Sequence, residues 1–127
     1  NHWLERVEDA LRVAEKTGRE NVGGMFNLCH WLKAGGQADP APLLKRALPR
    51  LWAVTVNGSP ARAELKAGKG GWILPLGRGS FDVAGLLETL RGLGYRGPVG
   101  LQCYGIRGDA RDHLAASIRA WRKMARK

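Results

Sequence analysis

The chain has 127 residues, 44% of them hydrophobic, a formal net charge of +10 and two cysteines. That suffices for one ordinary core and excludes a membrane-spanning helix, since no apolar run approaches the roughly 20 residues a bilayer requires. The basic residues are scattered over helix faces and loops; the one concentrated run, Arg119 to Lys127, has no aromatic ladder beside it, which argues for solvated surface and against nucleic acid.

In chain order, Leu4, Val7, Leu11 and Ala14 recur at helical spacing and Gly18 stops that helix. The apolar run Val22 to Leu28 predicts a buried strand that runs out into a loop at Cys29-His30-Trp31. Pro40 and Pro42 open a helix through Leu43, Leu44, Ala47 and Leu48, and Pro49 closes it. Leu51 to Val56 predicts the second strand. A long Gly-rich loop follows, Asn57 to Gly79, with a flexible centre from Leu65 to Gly71. It lacks the G-x-x-x-x-G-K-[ST] order of a phosphate loop, so no nucleotide is expected there. Asp82 is the predicted cap of a helix whose buried side is Leu86, Leu87, Leu90 and Leu93, with Gly94 as terminator. Pro98 to Cys103 predicts the third strand. Asp109 then caps a last helix whose apolar stripe is Leu114, Ile118, Trp121 and Ala125.

These strands are continuous apolar runs, the pattern of parallel strands covered on both faces. Three parallel strands alone leave two open edges, which invite pairing. The chain is therefore expected to be part of a barrel, completed by the rest of a longer polypeptide or by another copy.

Parallel α/β proteins place their chemistry at the carboxyl ends of their strands. Here those ends carry Asn27, His30, Thr55, Asn57, Gln102 and Tyr104, side chains suited to gripping a hydroxylated ligand, and no carboxylate. An unpaired buried amide costs about 1–3 kcal/mol, so Asn27 and Gln102 need partners from ligand, water or each other. His30 reads either as substrate-facing or as a satisfied core or capping histidine, and Thr55 either as a pocket residue or as ordinary strand. Cys29 and Cys103 lack C-x-x-C spacing and read as reduced apolar residues, which points to a reducing, cytoplasmic compartment. Trp31, Trp52, Trp72 and Trp121 read as core or wall, His113 as surface and Arg62 as a loop charge. His2 has no assignable environment.

Four segments in series carry a resemblance: Asn21-Val22-Gly23-Gly24-Met25-Phe26-Asn27-Leu28-Cys29-His30-Trp31, Ala53-Val54-Thr55-Val56-Asn57-Gly58, Pro75-Leu76-Gly77-Arg78-Gly79-Ser80-Phe81-Asp82, and Gly94-Tyr95-Arg96-Gly97-Pro98-Val99-Gly100-Leu101-Gln102. In that order the chain resembles the second half of the xylose-isomerase-like sugar phosphate isomerase/epimerase family. The resemblance implies an α/β fold, the C-terminal half of a (β/α)8 TIM barrel. Residues 1–127 would form a single partial domain of three parallel strand–helix units, six to eight, preceded by a helix.

It also implies a function: isomerisation or epimerisation of a sugar or sugar phosphate bound at the carboxyl face, with a divalent cation (Mn, Mg or Zn) where the family chemistry survives. In the family's D-x-x-H element the aspartate binds metal and the histidine contacts substrate. Here that element reads Asn27-Leu28-Cys29-His30, leaving His30 as the catalytic candidate. The family's metal histidine after the seventh strand falls on Thr55, and the glutamate ending the eighth strand falls on Gln102. Those three degenerate positions predict no metal, and Gln102 has no titratable carboxyl to act as a base. Whether the chain is an enzyme is left open. The alternative is a non-catalytic carbohydrate-binding or scaffold barrel that has lost its metal site, with an endonuclease-like barrel third. Expected partners are a small sugar, and the missing barrel half or a second copy; no membrane is expected.

Overall fold

The strand Leu51–Val56 (β2) lies at the centre of a three-stranded parallel sheet, flanked by Gly24–Asn27 (β1) and Val99–Leu101 (β3). The structure, a computed structural model, describes residues 4–36, 39–66 and 71–125, so His2 lies outside the described residues. Between the strands run helices Val7–Thr17 (α1), Leu28–Lys33 (α2), Ala41–Ala47 (α3), Arg62–Lys66 (α4), Val83–Gly92 (α5) and Ala110–Ala125 (α6). A 3-10 turn over Leu48–Arg50 leads into β2. None of the described helices is long and apolar enough to cross a membrane.

The helices end where the sequence says they should. Gly18 takes the left-handed conformation (φ 63°) that closes α1, and Gly94 (φ 81°) follows the last turn of α5. Asp82 caps α5 by accepting the Gly85 N–H at 2.9 Å, and the Asp109 carboxylate accepts the Arg111 N–H at 2.7 Å ahead of α6.

One sheet face is sealed by helices. Phe26 and Val54, paired in register, are both fully buried, joined by Leu11, Leu28, Leu44, Leu86, Leu87 and Leu90 in a single core. Burying a side chain of that size stabilises by about 1.5–3 kcal/mol. Alternation sends Met25, Asn27, Ala53, Thr55, Gly100 and Gln102 to the opposite face. Met25 is 50% exposed there, one residue from a fully buried Phe26, so within this chain the second face is uncovered.

Several expectations need correction. First, β1 is Gly24–Asn27 rather than Val22 to Leu28, and Leu28-Cys29-His30-Trp31 begins α2 instead of a loop. An apolar run of this length suits a buried helical turn as well as a strand. Second, β3 is Val99–Leu101, shorter than Pro98 to Cys103. Third, the loop after β2 contains α4, which takes in Leu65 and Lys66, and an antiparallel bridge between Gly58 and Leu74; residues 67–70 lie outside the described residues. Fourth, α6 packs through Ser117, Ala120, Trp121 and Met124, leaving Leu114 and Ile118 nearly half exposed, while His113 is half-buried rather than surface. Fifth, Arg62 is not a loop charge. Its guanidinium Nη1 donates to the carbonyls of Gly35 and Gly36 (2.6 Å to the latter), tying α4 to the turn after α2. Leu4 precedes α1 and is exposed, as is Trp52.

Candidate functional site

Parallel register sets the site. Asn27 pairs with Thr55 and Thr55 with Gly100, so the three strands end level, and Gln102 lies two residues beyond Gly100 on the same face. The Gln102 N–H donates to the Val56 carbonyl at 2.9 Å, extending the ladder to this residue.

Asn27 is where strand becomes helix. Its backbone is extended (φ −119°, ψ 115°), and its Oδ1 accepts the His30 backbone N–H at 3.1 Å, capping α2. Its Nδ2 donates to Gln102 Oε1 at 2.5 Å, joining β1 to β3 across β2. The two amides are thus partners for each other. Thr55 Oγ1 is buried and has no hydrogen-bond partner among the described residues. A polar atom left in that state is costly, and it is the feature of this face that calls for a ligand or water.

His30 is exposed on α2 and lines a groove of about 560 Å³ together with Asn27, Met25, Trp31, Arg6 and Arg46. The groove opens along the β1 edge. Trp31 anchors its floor, 8% exposed, with its ring 5.6 Å from Phe26 and 6.3 Å from Phe81. Burial pushes the Cys29 thiol pKa up, opposed by the Lys33 charge. Cys29 is buried and Cys103 exposed, both free.

The structure thus brings Asn27, Thr55 and Gln102 together and sets His30 beside them. Asn57 is placed otherwise: it is fully buried, its Nδ2 donates to the Gly58 carbonyl at 2.7 Å and the Trp72 carbonyl at 3.0 Å, and it pins the base of the long loop. Its Oδ1 is buried without a partner among the described residues. Tyr104 is 85% exposed beyond β3. Met25 was missed in the sequence, although the two-residue step back from Asn27 marks it as a wall of the same face. Among the described residues no three His, Cys, Asp or Glu side chains converge as a metal-binding group would require.

A parallel sheet with polar side chains gathered at its strand ends places the chain among the α/β proteins, barrels or open sheets. The chain belongs to the xylose isomerase-like TIM-barrel family, which matches residues 1–124. No curated protein matches it. Among solved structures it is similar to D-allulose 3-epimerase from Methylomonas sp., with 16% identity and a TM-score of 0.72 over 98% of this chain and 44% of that one. It is similar to 3-keto-D-glucoside 4-epimerase from E. coli, with 19% identity and a TM-score of 0.71 over 100% of this chain and 42% of that one. A third similar structure is the IOLI protein with a bound zinc atom, at 16% identity and a TM-score of 0.65 over 92% of this chain and 43% of that one. The chain therefore spans less than half the length of these structures, and the three strands correspond to part of a TIM barrel.

Proposed function

We propose that this chain contributes the carbohydrate-binding strand ends of a sugar isomerase/epimerase-like barrel, with Asn27, Thr55 and Gln102 at the centre, His30 at the rim and Tyr104 at the mouth. The observation that carries the reading is the Thr55 hydroxyl, unpartnered among the described residues, in register with Asn27 on the sheet face that the Asn27–Gln102 bond crosses. Hydroxyls and amides both donate and accept, which suits the mixed hydrogen bonding of a sugar. Asn57 supports the site from within, holding the loop after β2. The sugar epimerases among the similar structures agree with this class of ligand.

A second reading, a binding or scaffold barrel without turnover, is favoured by one specific feature. None of the clustered residues carries a carboxylate to shuttle protons, and His30 is the one imidazole beside them. A divalent cation, if the complete protein uses one, would draw its charged ligands from outside these three positions. The rest of the barrel comes from a longer polypeptide or from another copy of this chain.

Saturation-transfer NMR with a panel of ketohexoses, D-allulose included, tests the proposal. Transfer to sugar protons that is lost in Gln102→Ala is expected. No transfer with any member of the panel, free or phosphorylated, would overturn it. Measured turnover of a bound sugar would select the isomerase reading over the scaffold.

A further inference from the structure

Asn27 and Gln102 stand on the two outer strands, with β2 between them. Neighbouring strands lie about 4.8 Å apart, so the amide bridge crosses about 10 Å of sheet. Its Asn27 end is in register with Thr55, whose hydroxyl is buried and unpaired among the described residues, and Gln102 lies two residues beyond Gly100, the Thr55 partner on β3.

The hydrogen bonds also fix which way each amide faces. Asn27 Oδ1 must accept, because the His30 N–H points at it; Asn27 Nδ2 must then donate, and Gln102 Oε1 must receive. Reversing Asn27 would set a donor against the His30 N–H and an oxygen against Gln102 Oε1. Each atom of the Asn27 amide thereby has one fixed partner. The donors left over are the second Asn27 Nδ2 N–H, the two Gln102 Nε2 N–H groups and the Thr55 hydroxyl, and no carboxylate stands among them. Hard divalent cations are held by converging oxygens, with carboxylate charge, and N–H donors repel them. This donor set does not fit such an ion.

The geometry points to a metal-independent subsite: the Asn27–Gln102 amide bridge, with the Thr55 hydroxyl in register with its Asn27 end, receives one oxygen of a neutral hydroxylated ligand and takes no divalent cation. This rests on the reading of the strand ends as the carbohydrate site, and adds that the sugar is held by neutral hydrogen bonds here.

Paramagnetic Mn²⁺ is the direct probe, read on the side-chain amide resonances of Asn27 and Gln102 in the wild-type protein. The expected result is no selective broadening of these four N–H signals, and sugar transfer from D-allulose that persists unchanged in excess EDTA. Selective broadening by Mn²⁺, abolished in Gln102→Ala, would overturn the inference. Sugar binding that appears only with Mn²⁺ would also overturn it, while leaving the carbohydrate reading intact. If no sugar binds under either condition, the carbohydrate reading fails, and the Mn²⁺ broadening alone decides whether the subsite excludes the cation. The combined variant N27D/T55H/Q102E should bind Mn²⁺ at least about 100-fold more tightly than the wild type, because it supplies two carboxylates and an imidazole at converging positions. An affinity equal to that of the wild type in a folded variant, judged by circular dichroism, would show that the three positions do not converge.

Discussion

Replacing Asn27 by alanine removes two hydrogen bonds at once, and the cost can be built from the structure. The cap on the His30 N–H (3.1 Å) is worth about 1 kcal/mol, as for other Asn-to-Ala changes at helix N-caps. The neutral bridge to Gln102 (2.5 Å) adds about 1 kcal/mol, discounted where water reaches the half-exposed Gln102 amide. Asn27→Ala should therefore destabilise by about 2 kcal/mol. Asn27→Asp keeps an acceptor for the cap, and Gln102 can rotate its amide to donate, so its cost should stay within about 0.5 kcal/mol. Urea unfolding of the three proteins at neutral pH gives the totals, and hydrogen exchange at the His30 amide isolates the cap. Faster exchange at His30 in Asn27→Ala but not in Asn27→Asp is expected. Equal stability of wild type and Asn27→Ala, or an Asp variant as damaged as the Ala variant, would refute the shared role of this side chain.

Arg62→Ala frees the carbonyls of Gly35 and Gly36 and should cost about 1.5–3 kcal/mol, with limited proteolysis appearing first in the turn after α2; resistance equal to wild type would show the tie is idle. Ser117→Ala leaves the Leu76 N–H, now 3.0 Å from Ser117 Oγ in a buried setting, without its acceptor, and a loss of about 1–3 kcal/mol is expected by urea unfolding. Burial keeps the Cys29 thiol uncharged to higher pH, so iodoacetamide at pH 8 should label one thiol per native chain, the exposed Cys103, and two only after unfolding. The same raised pKa makes the folded chain hold its proton longer than the unfolded one. Its contribution to stability is therefore complete below the ordinary thiol pKa of 9.0 and fades as pH rises through the folded value. Light scattering on the 127-residue chain should report a mass above 13.9 kDa, because β1 and β3 are open parallel edges and Met25 lies on an uncovered face; a stable, cooperatively unfolding 13.9 kDa monomer would contradict this.

Legibility in the sequence followed the physics of each element. Leu51–Val56 was readable to the residue, since a continuous β-branched and apolar run between Pro49 and Asn57 has one good solution. Asp82 and Gly94 marked α5 because caps are local chemistry. The turn at Asn27 was harder. The same Asn that invites a ligand is also an N-cap, and an apolar run continuing through Trp31 hides the change from extended to helical backbone. The face of α6 was misjudged for a different reason. Leu114 and Ile118 are apolar, but the surface they would cover lies outside what this chain packs against, and the buried position is Ser117, whose hydroxyl serves the Leu76 backbone. The candidate residues Asn27, Thr55 and Gln102 were legible one by one as polar strand ends. Their mutual bond was not, because it joins residues 75 positions apart and depends on a register that only the assembled sheet supplies.

The most direct test of the site is a titration of the isotopically labelled protein with D-allulose in the presence of EDTA, followed by backbone and side-chain amide shifts. Shifts concentrated at Thr55, at the side-chain amides of Asn27 and Gln102 and at His30, saturating with a single affinity, are what this account predicts. Saturable shifts that leave those four residues unmoved, or no shift until a divalent cation is added, would contradict it.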